Sequence, residues 1–173
     1  SRWRKFHKVV IAVHADEVLG LLDNPSPLEQ ELLGPWRYST NQTILHCDPS
    51  FMPENKAIWS AWNYVETNQT KEQSPVAVTY YMTALQKLKS SLDWFVTLNP
   101  VRLPPAEKIA ATLTYHHPVF SFDSLATQPR LPTLNGGGNL WFCGAYFHNG
   151  FHEDGARAGK AAATDLLAKR RNS

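Results

Sequence analysis

The stretch Leu140-Trp141-Phe142-Cys143-Gly144-Ala145-Tyr146-Phe147-His148-Asn149-Gly150-Phe151-His152-Glu153-Asp154-Gly155-Ala156-Arg157-Ala158-Gly159 decides the reading of this chain. Leu140 to Cys143 is a short apolar run closed by Gly144, the pattern of a buried strand. Asn149-Gly150 marks a turn. Gly155 to Leu167 then reads as a helix rich in small residues: Ala156, Ala158, Gly159, Ala161, Ala162 and Ala163. Ala156, Gly159 and Ala163 share one helical face, where small side chains permit close approach to a sheet or ligand. A strand that opens through glycines onto a helix start presents unpaired N–H groups and the positive end of the helix dipole. Such a terminus suits a phosphate or another electron-rich group.

Working outward, the chain opens with a second apolar run, Lys8 to Val13, read as a strand buried on both faces in an α/β core. Such a strand at a chain's extreme end calls for earlier neighbours. Asp16 is expected to cap a short helix through Leu22, broken by Asn24-Pro25-Ser26-Pro27. Leu28 to Leu33 forms another short helix, stopped by Gly34-Pro35. The middle differs. Tyr38 to Cys47, Ala57 to Val65, Val76 to Met82, Trp94 to Leu98 and Ile109 to His116 are rich in β-branched and aromatic residues. They are read as strands of a mostly antiparallel sheet, with a helix from Thr83 to Ser91. Pro118 to Gly138 is read as mainly loop. The fold class is therefore α+β: a β-rich portion over 26–134, flanked by a terminal α/β piece over 1–25 and the strand–loop–helix over 135–173.

Composition narrows the function. A net charge of +2 is too small to argue for nucleic acid or an anionic membrane. The Lys169-Arg170-Arg171 tail reads as a solvated helix end. No apolar run is long enough to span a bilayer, and no secretory signal is evident. Two cysteines, Cys47 and Cys143, form no C-x-x-C and no disulfide framework. A cytoplasmic location is the expectation. Asn41-Gln42-Thr43 and Asn68-Gln69-Thr70 match the glycosylation pattern by chance on that reading.

The quoted segment resembles the C-terminal flavin-binding motif of the FAD-dependent amine oxidase and phytoene-desaturase-like group, with Gly150, Phe151, Glu153, Gly159 and Ala163 on the matching positions. The chain is more similar still to a predicted NAD/FAD-binding subgroup. Shared features are a histidine turn after the first strand (His14), Trp62-Asn63-Tyr64, Thr97-Leu98-Asn99-Pro100 and Gly150-Phe151-His152-Glu153-Asp154-Gly155. The resemblance implies non-covalent FAD. Backbone N–H groups near His152, Glu153 and Asp154 would meet the flavin pyrimidine edge, and Phe151 would lie beside the isoalloxazine ring. Gly144 and Ala145 would approach the ribityl chain or pyrophosphate. Residues 37 to about 134 would form most of a substrate domain over the flavin. Amines, carotenoid-like polyenes and lipids are the substrates it permits, and it names no catalytic residue.

The sequence also departs from the group. No G-x-G-x-x-G follows a strand, and Gly136-Gly137-Gly138 precedes one, so the ADP half of FAD has no site here. The expected partner is a nucleotide-binding half N-terminal to this chain, without which the fragment would bind FAD poorly, turn nothing over and tend to self-associate. Ala145 stands where many relatives carry an acidic residue, and Asp154 where the pattern has glycine. Two rival classes stay in view: a non-catalytic α+β module that binds a ligand or protein, and a metal-dependent hydrolase using His148, His152, Glu153 and Asp154. Against the metal, Asn149-Gly150 interrupts the i, i+4 histidine spacing and no third ligand is evident. His116-His117 reads as structural, one side chain in and one out. Trp59, Trp62 and Tyr64 read as core or interface packing.

Overall fold

A computed structural model of the chain describes residues 3–65 and 77–170. Asn68-Gln69-Thr70, Val76 and Arg171 lie outside the described residues. The fold is α+β, with helices, a parallel strand pair and a five-stranded antiparallel sheet. Two compact units form: residues 1–39 with 117–173, and residues 40–116.

The first unit is built on two parallel strands, β1 (Val9–Ile11) and β7 (Leu140–Phe142), with Ile11 opposite Phe142. Around them lie α1 (Ala15–Leu21), α2 (Pro27–Leu33), α4 (Phe122–Thr127) and the long α5 (His152–Arg170). One core gathers Ile11, Val18, Leu32, Leu33, Trp36, Leu131, Trp141, Phe142, Tyr146, Ala158 and Ala162. Each large apolar side chain fully buried there contributes roughly 1.5–3 kcal/mol. Trp36 and Trp141 keep their indole N–H groups satisfied, donating to Thr127 Oγ1 at 3.2 Å and to Asp165 Oδ2 at 2.9 Å. Because α2 and residues 117–134 join this core, the compact units do not divide at residues 25 and 134.

Local chemistry explains the helix ends. Ser26 caps α2, its Oγ accepting the Glu29 N–H at 3.3 Å while Glu29 Oε2 accepts the Ser26 N–H at 2.6 Å. Pro27 stands at the first helical position, where its missing N–H costs nothing. α1 differs from expectation: His14 holds the N-cap position, and Asp16 stands in the first turn. The stretch expected to be loop carries α4, capped by Ser121 Oγ accepting the Ser124 N–H at 3.1 Å. It then continues as a 3-10 segment, Gln128–Leu134. Its prolines mask the helix, but Leu131 and Leu134, three apart, are both buried, as a three-residue repeat requires.

Four further expectations for this unit are corrected. β1 is not buried on both faces: only Ile11 is, while Val9 and Val10 are 39% and 45% exposed. On α5 the face with Ala156 and Ala163 is exposed, and Ala158 and Ala162 make the buried stripe. The helix also starts three residues before Gly155. Lys169 is not a purely solvated end: its Nζ donates to the Asn135 carbonyl at 2.7 Å and pairs with Asp165 at 3.0 Å.

The second unit holds the antiparallel sheet in the order β3-β4-β5-β2-β6. The strands are β2 (Arg37–His46), β3 (Trp62–Val65), β4 (Ala77–Tyr81), β5 (Phe95–Leu98) and β6 (Ile109–Val119); the outer ends of β2 and β6 belong to the first unit. Register puts Ile44, His46, Thr79, Tyr81, Phe95 and Thr97 on one face and Thr43, Leu45 and Val96 on the other. On the first face, His46, Phe95, Tyr81 and Trp59 form an aromatic cluster. The helix expected over 83–91 is a single turn, α3 (Met82–Leu85), after which Lys87 takes a left-handed φ of 51° and ends it. Lys56–Ile58 is a 3-10 turn rather than strand. Trp62 and Tyr64 are 59% and 65% exposed, so they lie outside the core, and His116 and His117 are both exposed rather than one in and one out. Among the described residues, no helix is long and apolar enough to cross a membrane.

Candidate functional site

β7 ends at Phe142, and Cys143 extends the pairing by donating its N–H to the Ile11 carbonyl at 3.1 Å. Gly144 follows in extended backbone, its Cα against the ring of Tyr146. Ala145, Tyr146 and Phe147 make one 3-10 turn. The Ala145 carbonyl then accepts N–H groups from both His148 and Gly150, each at 3.1 Å. Gly150 has φ +88°, a left-handed conformation that glycine adopts without strain. A side chain there would reach Phe120 and Pro118 at 3.4 Å.

The loop thus delivers the chain to Phe151, which precedes α5 and is 61% exposed. The Phe151 carbonyl accepts from Asp154 at 3.0 Å and from Gly155 at 3.2 Å. Among the described residues, no acceptor faces the N–H groups of His152 and Glu153. Their side chains are exposed. These two donors lie at the positive end of a 19-residue helix whose first turn also carries Glu153 and Asp154, so they suit a neutral electron-rich group better than a free anion.

Asp154, the residue foreign to the glycine pattern, builds the turn. Its Oδ2 accepts the N–H groups of Asn149 at 3.2 Å and Phe151 at 3.1 Å, and its Oδ1 pairs with Arg157 at 2.6 Å. Burial pushes this carboxyl up, but the Phe151 N–H, the Arg157 guanidinium and the Asn149 N–H outweigh burial and hold it below its ordinary value. The Asp154 N–H is itself used within the turn, so of the three donors expected at His152, Glu153 and Asp154, two have no acceptor among the described residues. Gly155 packs beside Ala145: an added Cβ would lie 3.8 Å from the Ala145 nitrogen. The structure therefore brings Ala145, Gly150, Phe151, His152, Glu153, Asp154 and Gly155 into one turn–helix junction. Gly144 stands behind it, turned toward the Tyr146 ring. Among the described residues, no group of three His, Cys, Asp or Glu side chains is placed to hold a metal ion.

Several residues of this junction carry no mark in the sequence. Gln128 donates its amide to the carbonyls of Tyr146, at 3.0 Å, and His148. It thereby fixes the loop from twenty residues away, a distance no local pattern spans. Phe120 and Pro118 back Gly150, and Trp36 meets Phe120 edge-on at 5.9 Å. The Ser121-x-x-Ser124 cap was the one signal that could have placed this segment beside a helix. Burial also raises the Cys143 thiol, leaving it protonated and poorly nucleophilic. No family model matches the chain, and no curated protein matches it.

Proposed function

We propose that this chain is the C-terminal part of an FAD-dependent oxidoreductase of the amine-oxidase-like group, whose nucleotide-binding half lies N-terminal to it. The carrying observation is the junction of β7 and α5. A parallel strand opens through a left-handed glycine onto a helix whose His152 and Glu153 N–H groups have no acceptor among the described residues. Those donors suit the electron-rich pyrimidine edge of a flavin, and exposed Phe151 supplies an aromatic flank. Bound FAD would supply the redox chemistry, accepting electrons from a substrate C–H or C–N bond. The chain's own residues would hold and orient one edge of the ring and help exclude water. The half-exposed Val9 and Val10 on β1 also favour the reading, because parallel strands normally have both faces covered. The absent half would cover them.

The test is to express the whole open reading frame and compare it with this chain. The longer protein should purify with visible flavin absorption and release about one FAD per chain on denaturation, and the present chain should not. A longer protein without flavin, or an upstream sequence lacking a strand followed by G-x-G-x-x-G, would overturn the proposal and favour a non-catalytic binding module.

A further inference from the structure

The second unit contains a half-open cavity of about 400 Å³ on the sheet face opposite the His46 cluster. Thr43, Leu45 and Val96 form its floor. Met82, Leu88, Trp94, Leu113 and Tyr115 form its walls, and Gln86 stands at the rim. Its size is that of an ordinary small-molecule site, and its lining has the usual makeup of apolar walls with a few polar groups. Leu88, Leu113 and Tyr115 are 39%, 42% and 48% exposed, which is apolar surface left in water at a cost.

The charge of the lining selects the occupant. No lining residue carries a charge. A protonated amine seated here would give up its hydration with no carboxylate to replace it, an expensive exchange. An aliphatic chain gives up nothing and covers the exposed leucines.

We propose that this cavity binds a fatty-acyl chain, with the head group at the open rim beside Gln86. The binding site stands without any flavin; only the further step, that such a chain is the substrate, rests on the oxidoreductase reading.

Trp94 in the wall makes the proposal measurable on this chain directly. A stearate brominated at mid-chain, kept below its aggregation concentration, should quench tryptophan fluorescence saturably, and unbrominated stearate should reverse the quenching. The saturable component should vanish in Trp94→Phe. It should weaken by roughly tenfold or more in Leu113→Glu and in Leu88→Glu, which place a carboxylate in the wall at half-exposed positions that tolerate it. Phenethylamine, a short protonated amine, should not compete. Quenching that fails to saturate, that persists in Trp94→Phe, or that ignores both glutamate variants would overturn the proposal, as would competition by phenethylamine. Stearate binding here beside a flavin-free longer protein would keep the site and sink the oxidoreductase reading; flavin without stearate binding would do the reverse.

Discussion

The ring of Tyr146 lies so close to Gly144 that a Cβ on the glycine would sit 2.5 Å from Cε1. Gly144 has φ 163°, ordinary extended backbone, so the requirement for glycine is contact and not conformation. Tyr146 is buried among Trp36 and Phe147 and cannot swing aside. Gly144→Ala should therefore destabilise the chain by about 1–3 kcal/mol, the usual cost of overpacking a core. Urea denaturation of the single variant and of Gly144→Ala with Tyr146→Leu measures it. The second change should recover part of the loss. A full loss that the leucine does not relieve would place the glycine's role elsewhere.

Asp154 holds three groups together, and its removal should be felt at the start of α5. Asp154→Ala should lower the thermal midpoint by roughly 2–6 °C, as expected for losing a helix cap in a chain of this size. Hydrogen exchange at Asn149 and Phe151 should speed up in the variant, because their N–H groups lose their acceptor. Asp154→Asn should recover most of the midpoint, since one amide oxygen can still accept. Because the folded carboxyl sits below its ordinary value, its stabilisation is present near neutrality and lost as pH falls through the folded pKa.

His46 gives a pH dependence of a different origin. Its Nδ1 accepts the Asp48 N–H at 3.2 Å, so the neutral ring carries its proton on Nε2 and donates to Thr97 Oγ1 at 2.8 Å. Thr97 in turn bonds Thr79 at 2.9 Å. Burial lowers the His46 pKa below 6.5, with nearby Asp48 opposing and Arg102 reinforcing the shift. The unfolded chain therefore binds the proton more readily. Stability from this group is complete above about pH 6.5 and falls as pH drops toward the folded pKa. His46→Gln should flatten the stability profile over that window, measured by urea midpoints at a series of pH values. An unchanged slope would refute the assignment.

Thr43 allows a stabilising substitution. Thr43→Val keeps the shape and removes a buried hydroxyl that has no partner. It should raise stability by about 1 kcal/mol, within the cost of an unsatisfied buried polar group. A destabilised Val variant would mean that the hydroxyl has a partner in solution.

Local chemistry made several elements legible. Ser26-Pro27-Leu28-Glu29 carries its own capping box, and the β-branched and aromatic content of Tyr38 to Cys47 marks a strand. The strand Leu140–Phe142, the glycine turn at Gly150 and the helix behind it were readable because each rests on backbone constraints that a few neighbouring residues impose. Prolines concealed the 3-10 segment Gln128–Leu134, since the pattern of breakers and the pattern of a three-residue helix overlap.

By itself, then, the sequence determined the α+β class, most strand positions and the junction where a strand meets the α5 start, because those follow from short-range propensity and periodicity. Only the tertiary structure decided which face of α5 is buried, that Gln128 and Phe120 build the loop at Gly150, and that an uncharged cavity sits over Thr43. These depend on residues far apart in the chain meeting in space, and the free energy of such contacts leaves no trace in any local window.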